Sequence, residues 1–495
     1  MPRSFQNYIA GSWCDAASGE RFDNHNPAHW DEIIGTFPAS NHNDVDRAVA
    51  AAQAAFAEWR LTPAPKRGEI IKRAGDLLVR HKEELARLMT TEMGKVLSET
   101  RGDVQEGIDT AYYAASEGRR LFGFTTPSEL PDKFCMTVRL PVGVAGIITP
   151  WNFPLAIPTW KIFPALVCGN TVVFKPASDT PATATRFVEL LLEAGLPAGV
   201  IQLVHGSGSQ AGMALVEHAQ INLISFTGST AVGKQIAVAA GRSLKRVSLE
   251  LGGKNAQIVL PDADLDLALQ GVLWGAFGTT GQRCTATSRL ILHEAIHEEF
   301  LRRLVRETEK LRLGNGLEPD TQVGPLINFQ QRETVAGYVA IGRAEGAKLE
   351  TGGEIYTAGA CRHGAFYRPT IFSGVTPGMR IAQEEIFGPV LAVIKIRELS
   401  EAVEVLNGTP YGLSSSIYTR DVNAAFRAMR DLQAGLTYIN GPTIGAEAHL
   451  PFGGVKQTGN GHREGGWPVY DFFSETKTIY VDYSGKLQRA QIDNQ

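Results

Sequence analysis

VAGIITP (144–150), NTVVFKP (170–176), VIQLVHG (200–206), NLISFTG (222–228) and RVSLELGG (246–253) are five short β-rich runs separated by segments of helical length. Strand and helix alternating in this way predict a parallel, doubly wound sheet, because a parallel strand pair needs a long crossover and a helix is the usual one. Working outward, a second α/β stretch opens with AQIVL after Asn255, continues through a helical segment from Leu265 to Gly278, and supplies further strands at Arg289–Leu292, AVIKI and SSIYT. On the other side, Val45, Ala48, Val49, Ala52, Phe56 and Trp59 fall at helical spacing, as do the apolar residues of Ile70–Met89, so the first hundred residues read as mostly helical. MTVRLP (136–141) and the terminal TKTIYVDYSGK are β-rich with no helix to cover them, which suggests an oligomerisation arm. The expected organisation is a dinucleotide-binding domain from 1–122 and 142–252, a catalytic domain from 253–468, and an arm with a C-terminal tail from 123–141 and 469–495.

Composition narrows the function. The 495 residues carry 48 Lys+Arg against 52 Asp+Glu, a net charge of -4, with 43% hydrophobic residues. Interleaved, nearly balanced charge leaves no electrostatic footprint for nucleic acid or an anionic membrane, so a small-molecule partner is expected. The apolar stretch from Val142 to Phe174 is broken by Pro150, Asn152, Pro154, Pro158, Lys161 and Pro164, and reads as buried core rather than a membrane span. Five cysteines without a CxxC pair argue against a disulfide framework or zinc cage and favour a reducing, cytoplasmic setting. The opening MPRSFQNYIAGSW has no apolar secretory region.

Several short motifs carry chemistry. FGTTGQRC (277–284) places Cys284 after a Gly-rich turn, where backbone amides are expected to lower a thiol pKa; a small buried hydrophobe is the competing reading. Glu250 ends a strand before two glycines, a suitable site for a general base or simply a surface carboxylate. Asn152 lies between Trp151 and Phe153 and between two prolines, which fixes an amide donor of the kind an oxyanion hole requires. Gly228 and Ser229 fall between a strand and a helix, where amides at a helix N-terminus suit a phosphate or merely cap the helix. Gly206-Ser207-Gly208 with Gly212 reads as a loop. His293-Glu294-Ala295-Ile296-His297 matches HExxH literally, but His293 ends a strand and the helix starts after it, so no metal site is expected.

PWNFP, VVFKPAS, FTGST, LELGGKNA, GQRCT, EEIFGPV and PFGGVKQTGNG occur in this order, and with Ile9-Ala10-Gly11-Ser12-Trp13 at the start they closely resemble the aldehyde dehydrogenase superfamily along essentially the whole chain. The resemblance implies an α/β fold with a Rossmann-like cofactor domain, an α/β catalytic domain and a β-strand arm that builds a homodimer or homotetramer. It implies Cys284 as nucleophile, Asn152 as oxyanion donor and Glu250 as the base that hydrolyses a thioester. It also implies NAD or NADP as cofactor, with Trp151, Lys175, Ser178, Gly228, Ser229, Glu385 and Phe387 around it. Lys161 and Glu464 match accessory positions near a proton path, and Arg463 and Glu475 resemble an ion pair bracing a subunit contact.

Two positions bear on specificity. Members with strong NAD preference often carry glutamate where this chain has Ser178, so the resemblance implies that NADP is tolerated or preferred. GTTGQRCTATSRL and PTIGAEAHLPFGG are similar to antiquitin-like and 2-oxoglutarate semialdehyde dehydrogenases. In that setting Arg283 is expected to meet a substrate carboxylate, and Glu106 matches a pocket acid able to meet an amine. A carboxylate-bearing semialdehyde is therefore the expected substrate, with simple aliphatic or aromatic aldehydes as the alternative. A CoA-acylating enzyme would lack the base at Glu250, and an inactive structural relative would have lost the cysteine or the amide.

Overall fold

The computed structural model describes residues 2–493; Met1, Asn494 and Gln495 lie outside the described residues. The five β-rich runs form strands Val144–Ile148, Thr171–Lys175, Ile201–Leu203, Leu223–Thr227 and Arg246–Glu250. All four pairings among them are parallel. Every residue of Val144–Ile148 and Thr171–Lys175 is buried, as a sheet covered by helices on both faces requires.

The spatial order explains where a ligand can bind. From Val144–Ile148 the chain steps outward through Thr171–Lys175 to Ile201–Leu203, then returns to lay Leu223–Thr227 and Arg246–Glu250 on the other side. The reversal leaves a crevice at the carboxyl ends of Val144–Ile148 and Leu223–Thr227, the place where doubly wound sheets bind ligands. Pro150-Trp151-Asn152 and Gly228-Ser229 follow these two strands directly.

The helices of the first hundred residues begin only at His42; before it the chain runs as five strands between Arg3 and Pro38. Asn7–Ile9 and Ser12–Cys14 extend the first sheet antiparallel. These segments are too short for a periodic pattern to show. Gly208–Gly212, read as loop, instead forms a turn of π-helix capped by Ser207 and leading into Met213–Glu217.

A second seven-stranded sheet runs Lys348–Thr351, Thr370–Ser373, Val390–Ile396, Thr287–His293, Asn255–Val259, Ser414–Tyr418, Leu436–Ile439, parallel except for its first member. Its amino-terminal edge meets the carboxyl edge of the first sheet. Ser474–Asp482 pairs antiparallel with Lys133–Pro141 over nine residues, and Thr125–Pro127 adds a third strand. The two uncovered β-runs of the sequence thus pair with each other, leaving Phe122, Phe124 and Tyr480 about two-thirds exposed or more.

Candidate active site

Cys284 lies just before the strand Thr287–His293, at the end of a strained turn. Thr279, Thr280 and Gly281 all take left-handed backbone, with φ of 54°, 56° and 70°. For the two threonines this costs on the order of 1–3 kcal/mol each, so neighbouring groups must hold the turn. Glu99 accepts from the Thr279 amide at 2.7 Å, Thr280 Oγ1 donates to the Gly324 carbonyl at 2.9 Å, and Gln282 Oε1 accepts from Ile327 N at 2.9 Å. A side chain at Gly281 would strike the Gly388 carbonyl at 2.2 Å. The Cys284 carbonyl is held by Asn255 Nδ2 at 2.8 Å.

The thiol of Cys284 faces a cavity, but its pKa departs from expectation. Burial, followed by the like charges of Glu385 and Glu250, pushes it up to about 12; the amides of Thr285 and Cys284 oppose the shift and are outweighed. The lowering expected from the Gly-rich turn is thus corrected: desolvation and two carboxylates outweigh the two amides.

Asn152 sits in the loop after Val144–Ile148, buried, and its Nδ2 donates to the Gln282 carbonyl at 3.2 Å. The amide therefore rests against the turn that carries Cys284. Glu250 ends its strand at the first sheet's edge, 3% exposed, with neither carboxylate oxygen hydrogen-bonded. Its pKa is raised well above the ordinary range by burial and then by Glu464, against the pull of Lys161 and Arg463. Lys161 and Glu464 form a buried ion pair, and Lys161 Nζ also donates to Ser225 Oγ at 2.9 Å. Arg463 donates to the Gly461 and His462 carbonyls, while Glu475 meets Arg246 at 3.4 Å, so the two expected partners do not pair within one chain.

Around the crevice, Ser229 Oγ caps the helix Thr230–Gly241 by accepting from Val232 N, and the Gly228 amide donates to the Glu250 carbonyl at 3.1 Å. The rings of Trp151 and Phe387 meet edge-on at 5.3 Å, with Phe387 in left-handed backbone at φ 56°. Glu385 Oε1 accepts from Gly253 N at 3.0 Å, and burial lifts its pKa to about 7. Lys175 is buried and pushed down to about 8 by desolvation, with Asp179 opposing. Ser178 Oγ donates to the Gly206 carbonyl at 2.9 Å, and Asp179 is held by Asn328 at 2.9 Å. These residues fit a dinucleotide: a helix N-terminus faces the switch-point crevice, a desolvated ammonium stands at a strand end, and Thr227 Oγ1 is buried without a partner.

A cavity of about 640 Å³ opens on the other side of Cys284, with Phe153, Trp160 and Phe452 among its walls. Arg283 lines it, stacked 5.0 Å from the Trp274 ring centre and 5.4 Å from that of Phe153. Its Nε donates to Thr279 Oγ1 at 2.8 Å and its Nη2 to Glu99 at 3.3 Å. Glu106 lines the same cavity, its pKa pushed to about 8 by burial and by Asp103, with Lys95 and Arg283 opposing.

Sequence reasoning missed several groups here. Glu99 and Asp103 stand at helical spacing from the expected Glu106 on Leu97–Glu117, a signal that was available. Asn255 and the buried, unpartnered ammonium of Lys254, lowered to about 7 chiefly by desolvation, lay in a motif read for Glu250 alone. As expected, His293 ends its strand and the helix Glu294–Glu309 starts after it, capped by the His293 side chain; among the described residues no cluster could hold a metal.

A thiol, a buried carboxylate and a side-chain amide thus gather beside the crevice at the carboxyl edge of the doubly wound sheet. The chain belongs to the aldehyde dehydrogenase family, whose profile matches residues 13–479. It is 43% identical to the alpha-ketoglutaric semialdehyde dehydrogenase of Bacillus subtilis over 478 residues, 97% of this chain and 98% of that one. It is 42% identical to human aldehyde dehydrogenase 1A1 over 484 residues, 97% of this chain and 95% of that one. The crystal structure of betaine aldehyde dehydrogenase from Staphylococcus aureus in complex with NAD+ superposes with a TM-score of 0.95 at 36% identity, covering 97% and 95% of the two chains. Among the described residues no helix is long and apolar enough to cross a membrane.

Proposed function

We propose that this protein oxidises a carboxylate-bearing semialdehyde, of the 2-oxoglutarate semialdehyde type, to the carboxylate with NAD or NADP. Near-equal identity to an alpha-ketoglutaric semialdehyde dehydrogenase and to an aldehyde dehydrogenase 1A1 leaves the substrate to the pocket. The observation that carries the reading is Arg283, adjacent to Cys284 and lining the cavity. Of its five N–H groups, one goes to Thr279 and one to Glu99, which leaves donors for a substrate carboxylate.

In the reaction the Cys284 sulfur bonds to the aldehyde carbon as the thiol gives its proton to solvent water in the cavity, leaving a thiohemiacetal oxyanion held by Asn152 Nδ2 and the Cys284 amide. Trp151, Lys175, Ser178, Gly228, Ser229, Glu385 and Phe387 would hold the dinucleotide, whose nicotinamide supplies the hydride acceptor. On the thioester that results, water adds to the carbonyl carbon while Glu250 takes its proton; the C–S bond then breaks and the thiolate leaves. Glu250 works in its ionised form, so its raised pKa places the acid limb of the rate profile above the ordinary carboxylate range.

Ser178 brings no carboxylate toward a 2′-phosphate, and Asp179 is engaged by Asn328, which supports use of both cofactors. Glu106 favours a second reading, an amine-bearing semialdehyde of the α-aminoadipate type, while the aromatic wall alone would suit neutral aldehydes. The exposed aromatics of the arm support a homodimer or homotetramer; a cytoplasmic setting and the division into 1–122 with 142–252, 253–468, and 123–141 with 469–495 belong to the same reading. Arg283→Ala should raise KM for 2-oxoglutarate semialdehyde about 10- to 100-fold, the worth of a lost charge-assisted bond, and leave KM for propanal nearly unchanged. Equal effects on both substrates would remove the carboxylate anchor.

A further inference from the structure

Among the groups that hold the strained turn before Cys284, one is a carboxylate. Glu99, buried, accepts from the Thr279 amide at 2.7 Å and from Arg283 Nη2 at 3.3 Å. Four residues along the same helix, Asp103 accepts from Ala156 N at 2.8 Å, capping the first turn of Ala156–Cys168, a helix with no side-chain cap of its own. Asp103 is fixed in turn by Lys95 at 2.8 Å, with both side chains fully buried. Ala156 follows the Asn152 loop, so one helix, Leu97–Glu117, touches the turn bearing the nucleophile with one carboxylate and the segment bearing the amide with the next.

We propose that Glu99 is a positioning residue: its hydrogen bond to Thr279 holds the left-handed turn that aims Cys284, while Asp103 fixes the Asn152 side from the same helix. The inference rests on the reading of Cys284 as nucleophile, and it separates two possible uses of Glu99. One is its charge, which compensates Arg283; the other is its reach to Thr279.

The test pairs two substitutions. Glu99→Gln keeps an oxygen within reach of the Thr279 amide and loses the charge. Glu99→Asp keeps the charge and withdraws the acceptor by about 1.5 Å, one C–C bond. Two readouts are used: steady-state kinetics with propanal and with 2-oxoglutarate semialdehyde, and the rate at which iodoacetamide labels Cys284, followed by peptide mass. The proposal expects Gln to keep kcat within a few-fold of wild type. It expects Asp to lower kcat about 100-fold on both aldehydes, the scale of an ångström-sized misplacement, and to change the labelling rate. The opposite order, Asp active and Gln impaired, or an Asp defect confined to KM for the semialdehyde, would overturn it. If wild type shows no Cys284-dependent oxidation, the function fails separately; labelling then still decides, with Gln like wild type and Asp altered supporting the role, and no difference overturning it.

Discussion

Glu250→Gln should disable the enzyme and stabilise the protein together. Both carboxylate oxygens are buried without a partner, and Glu464 adds a like charge. An unsatisfied buried polar atom costs about 1–3 kcal/mol, and more when charged. Glutamine leaves some of that cost in place but removes the charge and the repulsion, so a gain on the order of 1–2 kcal/mol is expected. Because the folded pKa of Glu250 lies above an unfolded value of about 4.3, its ionisation weakens the fold. The penalty is absent below about pH 4 and grows as pH rises through the folded pKa, so the gain should be larger near pH 8 than near pH 5. Losing a general base costs roughly 10²–10⁴ in rate, or about 3–5 kcal/mol at the hydrolytic step. The assay is rapid mixing of Glu250→Gln with aldehyde and NAD, alongside denaturant unfolding at the two pH values. A rapid burst of reduced cofactor, close to one per active site, should precede a slow steady state. A kcat within a few-fold of wild type, or a loss of the burst together with turnover, would refute the assignment of Glu250 to hydrolysis.

Other outcomes follow from the cofactor crevice. On the proposed reading Glu385, at about 7, holds the dinucleotide best when ionised, so NAD should bind more tightly as pH rises from about 6 to about 8; Glu385→Gln should flatten that dependence in a fluorescence titration. Ser178→Glu should cut kcat/KM for NADP by more than about 10-fold and leave NAD nearly unchanged, because a carboxylate there repels a 2′-phosphate; equal losses with both cofactors would mean that the side chain does not face the ribose.

The doubly wound sheet was legible because its buried strands are apolar runs between helix-length segments, a pattern local sequence preserves. Cys284, Asn152 and Glu250 were legible as motifs, and the structure brings all three to one edge. The five strands before His42 were not, since pieces such as Asn7–Ile9 take their form from Ile201–Leu203, almost two hundred residues away. The Cys284 thiol illustrates the same limit: the amides that lower its pKa are adjacent in sequence, whereas Glu385 and the burial that raise it come from the tertiary fold. Arg283 could be placed beside Cys284 by its number alone, but its aromatic neighbours Phe153 and Trp274 and its Glu99 partner are brought to it from three distant segments by the tertiary fold.

The most direct test is reduced-cofactor formation, followed by absorbance, from the purified protein with 2-oxoglutarate semialdehyde, α-aminoadipic semialdehyde, succinic semialdehyde, propanal and benzaldehyde, each with NAD and with NADP. Cys284→Ala serves as the control. The account predicts oxidation led by a carboxylated semialdehyde, with either cofactor, that disappears in Cys284→Ala. Activity led by propanal or benzaldehyde would contradict the substrate class, and turnover that survives in Cys284→Ala would contradict the mechanism.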